Sequence, residues 1–303
     1  MVQKDKRSVH FEKLEPGSEF LIALFANLKD NLLDYCVLRN YKSLPFSTGG
    51  SDLDILVAGH HFNKTVDLIK TLTRQYGGKI ICETKADKVV NLSVCGFYDN
   101  TWWGIKFDLF SYVGTNGCYI LLADELLARC FEYNGVMVAN DRDGAVIAFL
   151  KELIGAGRTR KNYRTQALQA FSQERGRYLK SLSHYWGDEV YKTLLEPLLS
   201  GDLVDFKMAG KRLKREWLNN MFHRQPLQVA RNRVVDFSFR VKRVFFPAGF
   251  SVAFIGTDGS GKSTIIEGIR PPLEAALHAS LRYEHMRPNL FPSLSRLLGG
   301  AKT

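Results

Sequence analysis

"STGGSDLDILV", residues 47–57, decides how the first half of this 303-residue chain folds. In an extended strand alternate side chains share a face, so Asp52 and Asp54 point one way while Leu53, Ile55 and Val57 point into a core. Two carboxylates about 7 Å apart at a strand edge are hard oxygen donors of the kind that hold one or two Mg²⁺ ions. "IKFDLF" repeats the logic: Ile105, Phe107 and Leu109 go inward and leave Asp108 on the opposite face. An acidic triad of Asp52, Asp54 and Asp108 is therefore the first candidate for metal-assisted catalysis.

Outward from this strand the pattern is mixed α/β. Apolar Phe20, Leu21, Leu24, Leu28 and Leu32 predict a helix over 17–34. "YCVLRN", "LDILVA", "KIICE", "KVVNLSVCGF" and "WWGIKFDLFSYV" read as strands, several of them antiparallel neighbours, with a helix at 61–76 between the second and third. From about 141 the strand signals stop. Helices are predicted over 141–155, 162–173, 187–199, 202–222 and much of 227–246. "GFSVAFIG" then reads as a buried strand that leads into a glycine-rich loop and a helix. The expected fold class is thus α/β in three segments: a mixed-sheet domain (1–140), a basic helical domain (141–245) and the start of a parallel α/β domain (246–303).

Charge follows the same boundaries. Of the net +11, residues 151–243 hold 20 Lys/Arg against 9 Asp/Glu, an excess equal to that of the whole chain. A nucleic-acid or anionic-lipid contact through phosphates is one reading of that segment. No recognisable nucleic-acid fold accompanies it, so a solvated helical face is favoured. The five cysteines form no CxxC pair and suggest neither a zinc knuckle nor a disulfide framework. The longest apolar run, "VFFPAGFSVAFIG", has 13 residues and contains Pro247, against about 20 for a bilayer span. No membrane span and a cytoplasmic location are expected. The seven histidines show no metal-ligand spacing, and His60-His61 reads as a helix cap and a surface residue. Of Trp102 and Trp103, one ring is expected to pack and the other to stay half exposed.

The other motif is "FIGTDGSGKST", residues 254–264. Gly256, Gly259 and Gly261 let the backbone curl so that N–H groups point at phosphate oxygens, Thr257, Asp258 and Ser260 lying between them. The following helix adds the positive end of its dipole. Lys262 is expected to reach the β and γ phosphates of ATP, Ser263 to ligate Mg²⁺, and Thr264 to meet the α phosphate.

This loop resembles the P-loop of thymidylate kinases and related nucleotide kinases. The resemblance implies that Asp258 lies near the phosphoryl acceptor, and that Arg287 in "YEHMRPN" holds the acceptor phosphate. Such kinases need about 200 residues, and only 39 follow Thr264, so an incomplete kinase domain is expected. Gly-Ser-Asp-x-Asp with a later strand Asp resembles the nucleotidyltransferase superfamily of polymerase-β type, which implies catalytic and metal-binding roles for Asp52, Asp54 and Asp108. Where that family places a further Gly-Ser pair this chain has Arg39 and Asn40, and Arg39 is expected to contact a phosphate instead. Together the two resemble bacterial proteins with a nucleotidyltransferase-like N-terminus and a thymidylate-kinase-like C-terminus. Three functions stay open. The first is an ATP- and Mg²⁺-dependent phosphotransferase acting through Lys262 and Asp258 on an unidentified acceptor. The second is a metal-dependent nucleotidyltransferase acting through the triad. The third is a nucleic-acid binder acting through the basic segment.

Overall fold

In a computed structural model, residues 17–86, 88–115, 118–156, 159–200, 206–246, 249–277 and 280–283 are described. The predicted first helix forms as α1 (Ser18–Asp30), which buries Phe20, Leu21, Leu24, Phe25 and Leu28 along one stripe. Strand β1 (Tyr35–Val37) and strand β2 (Leu53–Val57) follow, then α2 (Phe62–Gln75). The long strands β3 (Gly78–Ala86), β4 (Val89–Tyr98) and β5 (Thr101–Phe110) form a meander. A hairpin of β6 (Tyr112–Thr115) and β7 (Cys118–Leu122), the short α3 (Ala123–Leu127), β8 (Phe131–Tyr133) and β9 (Val136–Val138) complete the sheet region. The fold is α/β, with one mixed seven-stranded sheet in the order β3-β4-β5-β2-β1-β9-β8. The pairs β1/β9 and β2/β5 are parallel and the others antiparallel.

Burial on both sheet faces explains why all five residues of β2 are buried. Leu53, Ile55 and Val57 join Phe107, Leu109, Val90 and Leu92 under α1 and α2. Trp103 packs in this layer, stacked on Phe20 at 4.8 Å, while Trp102 stays half exposed. On the opposite face Cys36, Leu38, Leu56 and Phe110 meet a helical layer. It comprises α4 (Asp141–Ala156), α5 (Lys161–Trp186), α6 (Asp188–Val190), a π-helical turn at Tyr191–Leu195, α7 (Glu196–Ser200), α8 (Phe206–Arg224) and α9 (Pro226–Phe245). Trp186 and Trp217, fully buried and stacked at 5.1 Å, tie α5 to α8. Sequence periodicity ends α5 at 173. There Glu174 leaves helical geometry (φ −131°, ψ 33°), and the helix resumes to Trp186.

A buried carboxylate anchors this layer. Asp143 in the first turn of α4 accepts from Arg129 Nε at 3.1 Å and from Tyr178 Oη at 3.1 Å, and pairs with Arg177.

The reading of residues 249–256 as a buried strand is corrected by the structure. They carry no strand pairing, and Val252 and Ile255 are 62% and 94% exposed. A strand is defined by its partners, and no strand among the described residues lies alongside this one to bond it. The helix after the loop does form, as α10 (Lys262–Leu277), and docks its second half on β5, burying Pro272 and Ala276.

Candidate functional site

The chain reaches the triad through "TGGS", where Gly49 and Gly50 adopt φ +61° and +72°, a region costly for residues with a Cβ. This turn delivers Asp52 to the start of β2. Parallel pairing of β2 with β5 then sets Asp54 directly beside Asp108. The alternation read from the sequence holds: Asp52, Asp54 and Asp108 lie on the face opposite Leu53, Ile55 and Phe107. That face is not open, because it is the one covered by the helical layer, and Asp54 is only 5% exposed. One ligand atom from each of the three aspartates lies within 4.8 Å of the other two.

Two cations sit among these carboxylates. Arg39, just after β1, donates from Nε to Asp54 Oδ2, and its Nη2 lies 3.8 Å from Asp52 Oδ1. Its Nη1 donates to Tyr163 Oη of α5 at 3.2 Å. Lys106 Nζ lies 3.7 Å from Asp52 and 3.4 Å from Asp108. Asn91 of β4 donates to Asp108 Oδ1 at 2.6 Å and accepts at its own carbonyl oxygen from Thr84 Oγ1 at 2.8 Å. Burial holds the Asp54 carboxyl above its ordinary value, against the opposing fields of Arg39 and Lys151. For Arg39 burial alone would lower the guanidinium, but the Asp54 charge overrides it and holds it above its ordinary value.

Three carboxylates against two cations leave the cluster one negative charge in excess. Its donors are hard oxygens on fixed strands, and they fit a divalent cation such as Mg²⁺. Beside the triad opens a cleft of about 740 Å³. Arg39, Lys42 and Ser51 line one wall, and Arg142, Tyr163 and Gln166 of α4 and α5 the other. Arg39 thus belongs both to the triad and to the cleft, although its nearest partner is a carboxylate rather than the phosphate expected of it.

The residues of the glycine-rich loop form a separate group. A turn over 258–261 leads into α10, with Gly259 and Gly261 both at φ +80°. Lys262 Nζ donates to the carbonyl oxygens of Gly256 (2.8 Å) and Thr257 (2.5 Å), so the lysine curls over its own loop. Gly256, Asp258, Ser260, Ser263 and Thr264 lie in the same segment. No hydrogen bond or ion pair among the described residues joins it to the triad. Arg287 lies outside the described residues.

Lys106 and Asn91 escaped the sequence reading. Lys106 sits two residues before Asp108 on one strand and shares its face by the alternation that placed the aspartates. Asn91 carries no such local signal, since its contact depends on the β4/β5 register. The structure also gathers Asp34 with His60 and His61, each offering an atom within 4.8 Å of the others, where sequence spacing gave no metal signature. His61 Nδ1 there accepts from the Asp34 backbone N–H at 3.0 Å.

No protein-family model matches the chain, and no curated protein matches it. Among solved structures, JHP933 from Helicobacter pylori aligns with 76% of this chain and 100% of its own, at 13% identity and a TM-score of 0.34. A candidate nucleotidyltransferase from H. pylori aligns with 67% of this chain and 92% of its own, at 12% identity and a TM-score of 0.30. At these scores the reading of the site rests on its own geometry.

Proposed function

We propose that the chain is a metal-dependent nucleotidyltransferase, with ATP or another nucleoside triphosphate as donor and a hydroxyl-bearing acceptor. The observation that carries this reading is the convergence of Asp52, Asp54 and Asp108 within 4.8 Å beside an open cleft. Asp52, Asp54 and Asp108 would hold Mg²⁺, which supplies Lewis-acid neutralisation of the triphosphate and a more acidic acceptor hydroxyl. The protein's own part is positional and electrostatic. Asn91 and Lys106 fix the Asp108 carboxylate between two donors. Arg39 brings positive charge to the rim where phosphate oxygens would lie, and Lys42 extends it along the cleft. In the reaction the acceptor hydroxyl gives up its proton to solvent, its oxygen bonds to the α phosphorus, the α–β bridging bond breaks, and pyrophosphate leaves.

Transfer of α-labelled nucleotide in the presence of Mg²⁺ tests the reading, with pyrophosphate release as a second readout. Asp52→Asn/Asp54→Asn should abolish transfer and Mn²⁺ binding while Lys262→Ala keeps both. The reverse pattern, loss in Lys262→Ala with the aspartate double variant intact, would refute it in favour of a phosphotransferase working from the P-loop.

A further inference from the structure

The longest exposed apolar feature of the described residues lies away from both motifs, on α9. Five basic residues and one acidic residue occupy this 20-residue helix, a net +4. Val229 and Asn232 are buried toward the rest of the protein, and the helix lies against α8 and the edge strand β3. On its outer side Leu227, Val234, Phe237, Val241, Val244 and Phe245 are between 38% and 86% exposed. At about 100° per residue these six fall within roughly 100° of arc. Arg231 and Lys242 border that stripe on one side, and Arg233 and Arg240 on the other. All four cations are exposed, and none forms an ion pair among the described residues.

An apolar stripe about 100° wide with cations along both borders matches an interface-lying helix. Its apolar side chains enter the acyl boundary, and the arginines and lysine extend to the phosphate level. Nucleic acid would use the cations and leave Leu227, Val234 and Val244 facing water, since base contacts favour planar side chains. No helix among the described residues is long and apolar enough to cross a membrane, and lying on one needs no such length. We propose that α9 seats this protein on an anionic lipid surface, with phospholipid phosphates as its ligand.

Sedimentation of the full chain with vesicles of phosphatidylcholine, alone or mixed with phosphatidylglycerol, tests this. Binding is expected to the mixed vesicles only, weakening as salt rises. Arg231→Gln/Arg233→Gln/Arg240→Gln should weaken it roughly 150-fold, since each cation near such a surface contributes about a fivefold factor. Phe237→Asp should weaken it at least tenfold, and Phe237→Trp should show a blue-shifted emission quenched by brominated lipid. All four positions are exposed, so circular dichroism should match the parent. The proposal is overturned if neither vesicle binds, or if Phe237→Asp binds as the parent does. It is overturned equally if the parent forms a concentration-dependent dimer that Phe237→Asp dissolves, because a second copy then covers the stripe. Binding of an RNA homopolymer that survives Phe237→Asp and is lost in the arginine variant, without vesicle binding, would assign the face to nucleic acid.

Discussion

Replacing Arg39 by Ala strips a nearly buried carboxylate of its direct partner. Asp54 is 5% exposed and its Oδ2 accepts from Arg39. Contact at hydrogen-bond range with an effective dielectric constant of about 20 gives roughly 4–5 kcal/mol of attraction. The Arg39 side chain is 33% exposed, and solvent screening reduces the expected loss to about 2–3 kcal/mol at neutral pH. The pH dependence has a definite sign. Burial already holds Asp54 above its ordinary value, and removing Arg39 takes away the largest opposing influence, so its folded value climbs further. An acid that binds its proton more tightly when folded costs stability above its folded pKa. The cost disappears as pH falls toward the unfolded value near about 3.9. Urea unfolding of Arg39→Ala should therefore show its full deficit at neutral pH and a visibly smaller one at mildly acidic pH. Asp54→Asn removes the charge, so Arg39→Ala added to it should cost little, giving a coupling of about 2 kcal/mol in the double-mutant cycle. A deficit independent of pH, or a coupling below about 0.5 kcal/mol, would refute the electrostatic account and leave Arg39 a packing residue.

Gly104→Ala should loosen α10 while sparing the sheet: a Cβ there would lie 2.0 Å from the Pro272 carbonyl oxygen, which only movement of the helix relieves. Hydrogen exchange should rise across 262–277 with a stability loss of about 1–3 kcal/mol, and unchanged exchange would contradict the docking. Tyr191→Phe should be neutral or stabilise by up to about 1 kcal/mol in thermal unfolding. Its hydroxyl is fully buried without a hydrogen-bond partner among the described residues, so a clear loss would reveal one. Burial pushes Tyr35 up to about 12 despite the Met137 N–H donating to its hydroxyl, whereas unfolded tyrosine ionises near about 10. Stability should therefore fall as pH rises from about 10 toward 12, by at most about 2–3 kcal/mol from this residue, and Tyr35→Phe should flatten the fall.

How far the site could be read from sequence depended on how local each determinant is. The strand 53–57 and the shared face of Asp52 and Asp54 follow from alternation within six residues, and both were legible. Lys106 was equally legible by that rule, once Asp108 had been placed. Arg39 was flagged for a different reason, its place at the end of the preceding strand, and its partner was not foreseen. Whether it meets a phosphate or Asp54 depends on the β1/β2 register and on Tyr163, more than a hundred residues along the chain. That the triad face is covered also escaped the sequence, since the covering helices α4 and α5 begin beyond residue 140. The strands β8 and β9 are three residues each, too short for a period to show, and they are strands because β1 pairs with β9.

The glycine-rich loop and the triad make the converse case. The loop's local geometry, two glycines at positive φ and a lysine folded over the carbonyls of Gly256 and Thr257, lies within eleven consecutive residues. A phosphate-transfer site needs more than the loop: a strand held in a sheet so that the cradle has a fixed position relative to its acceptor. Residues 249–256 have the apolar run of such a strand but, among the described residues, no neighbours that bond it, and the helix after the loop docks through Pro272 and Ala276. The aspartates are fixed in the opposite way. The Asp-x-Asp pair and the lone Asp108 are weak local signals, but β2 and β5 are interior strands of a seven-stranded sheet buried on both faces. A shift of either by one residue would turn Asp54 or Asp108 into the layer of Phe107 and Ile55 and expose apolar side chains in exchange. The register that folds the protein is thus the register that assembles the carboxylates. The weaker motif therefore makes the better-defined site, and the chemistry is assigned there.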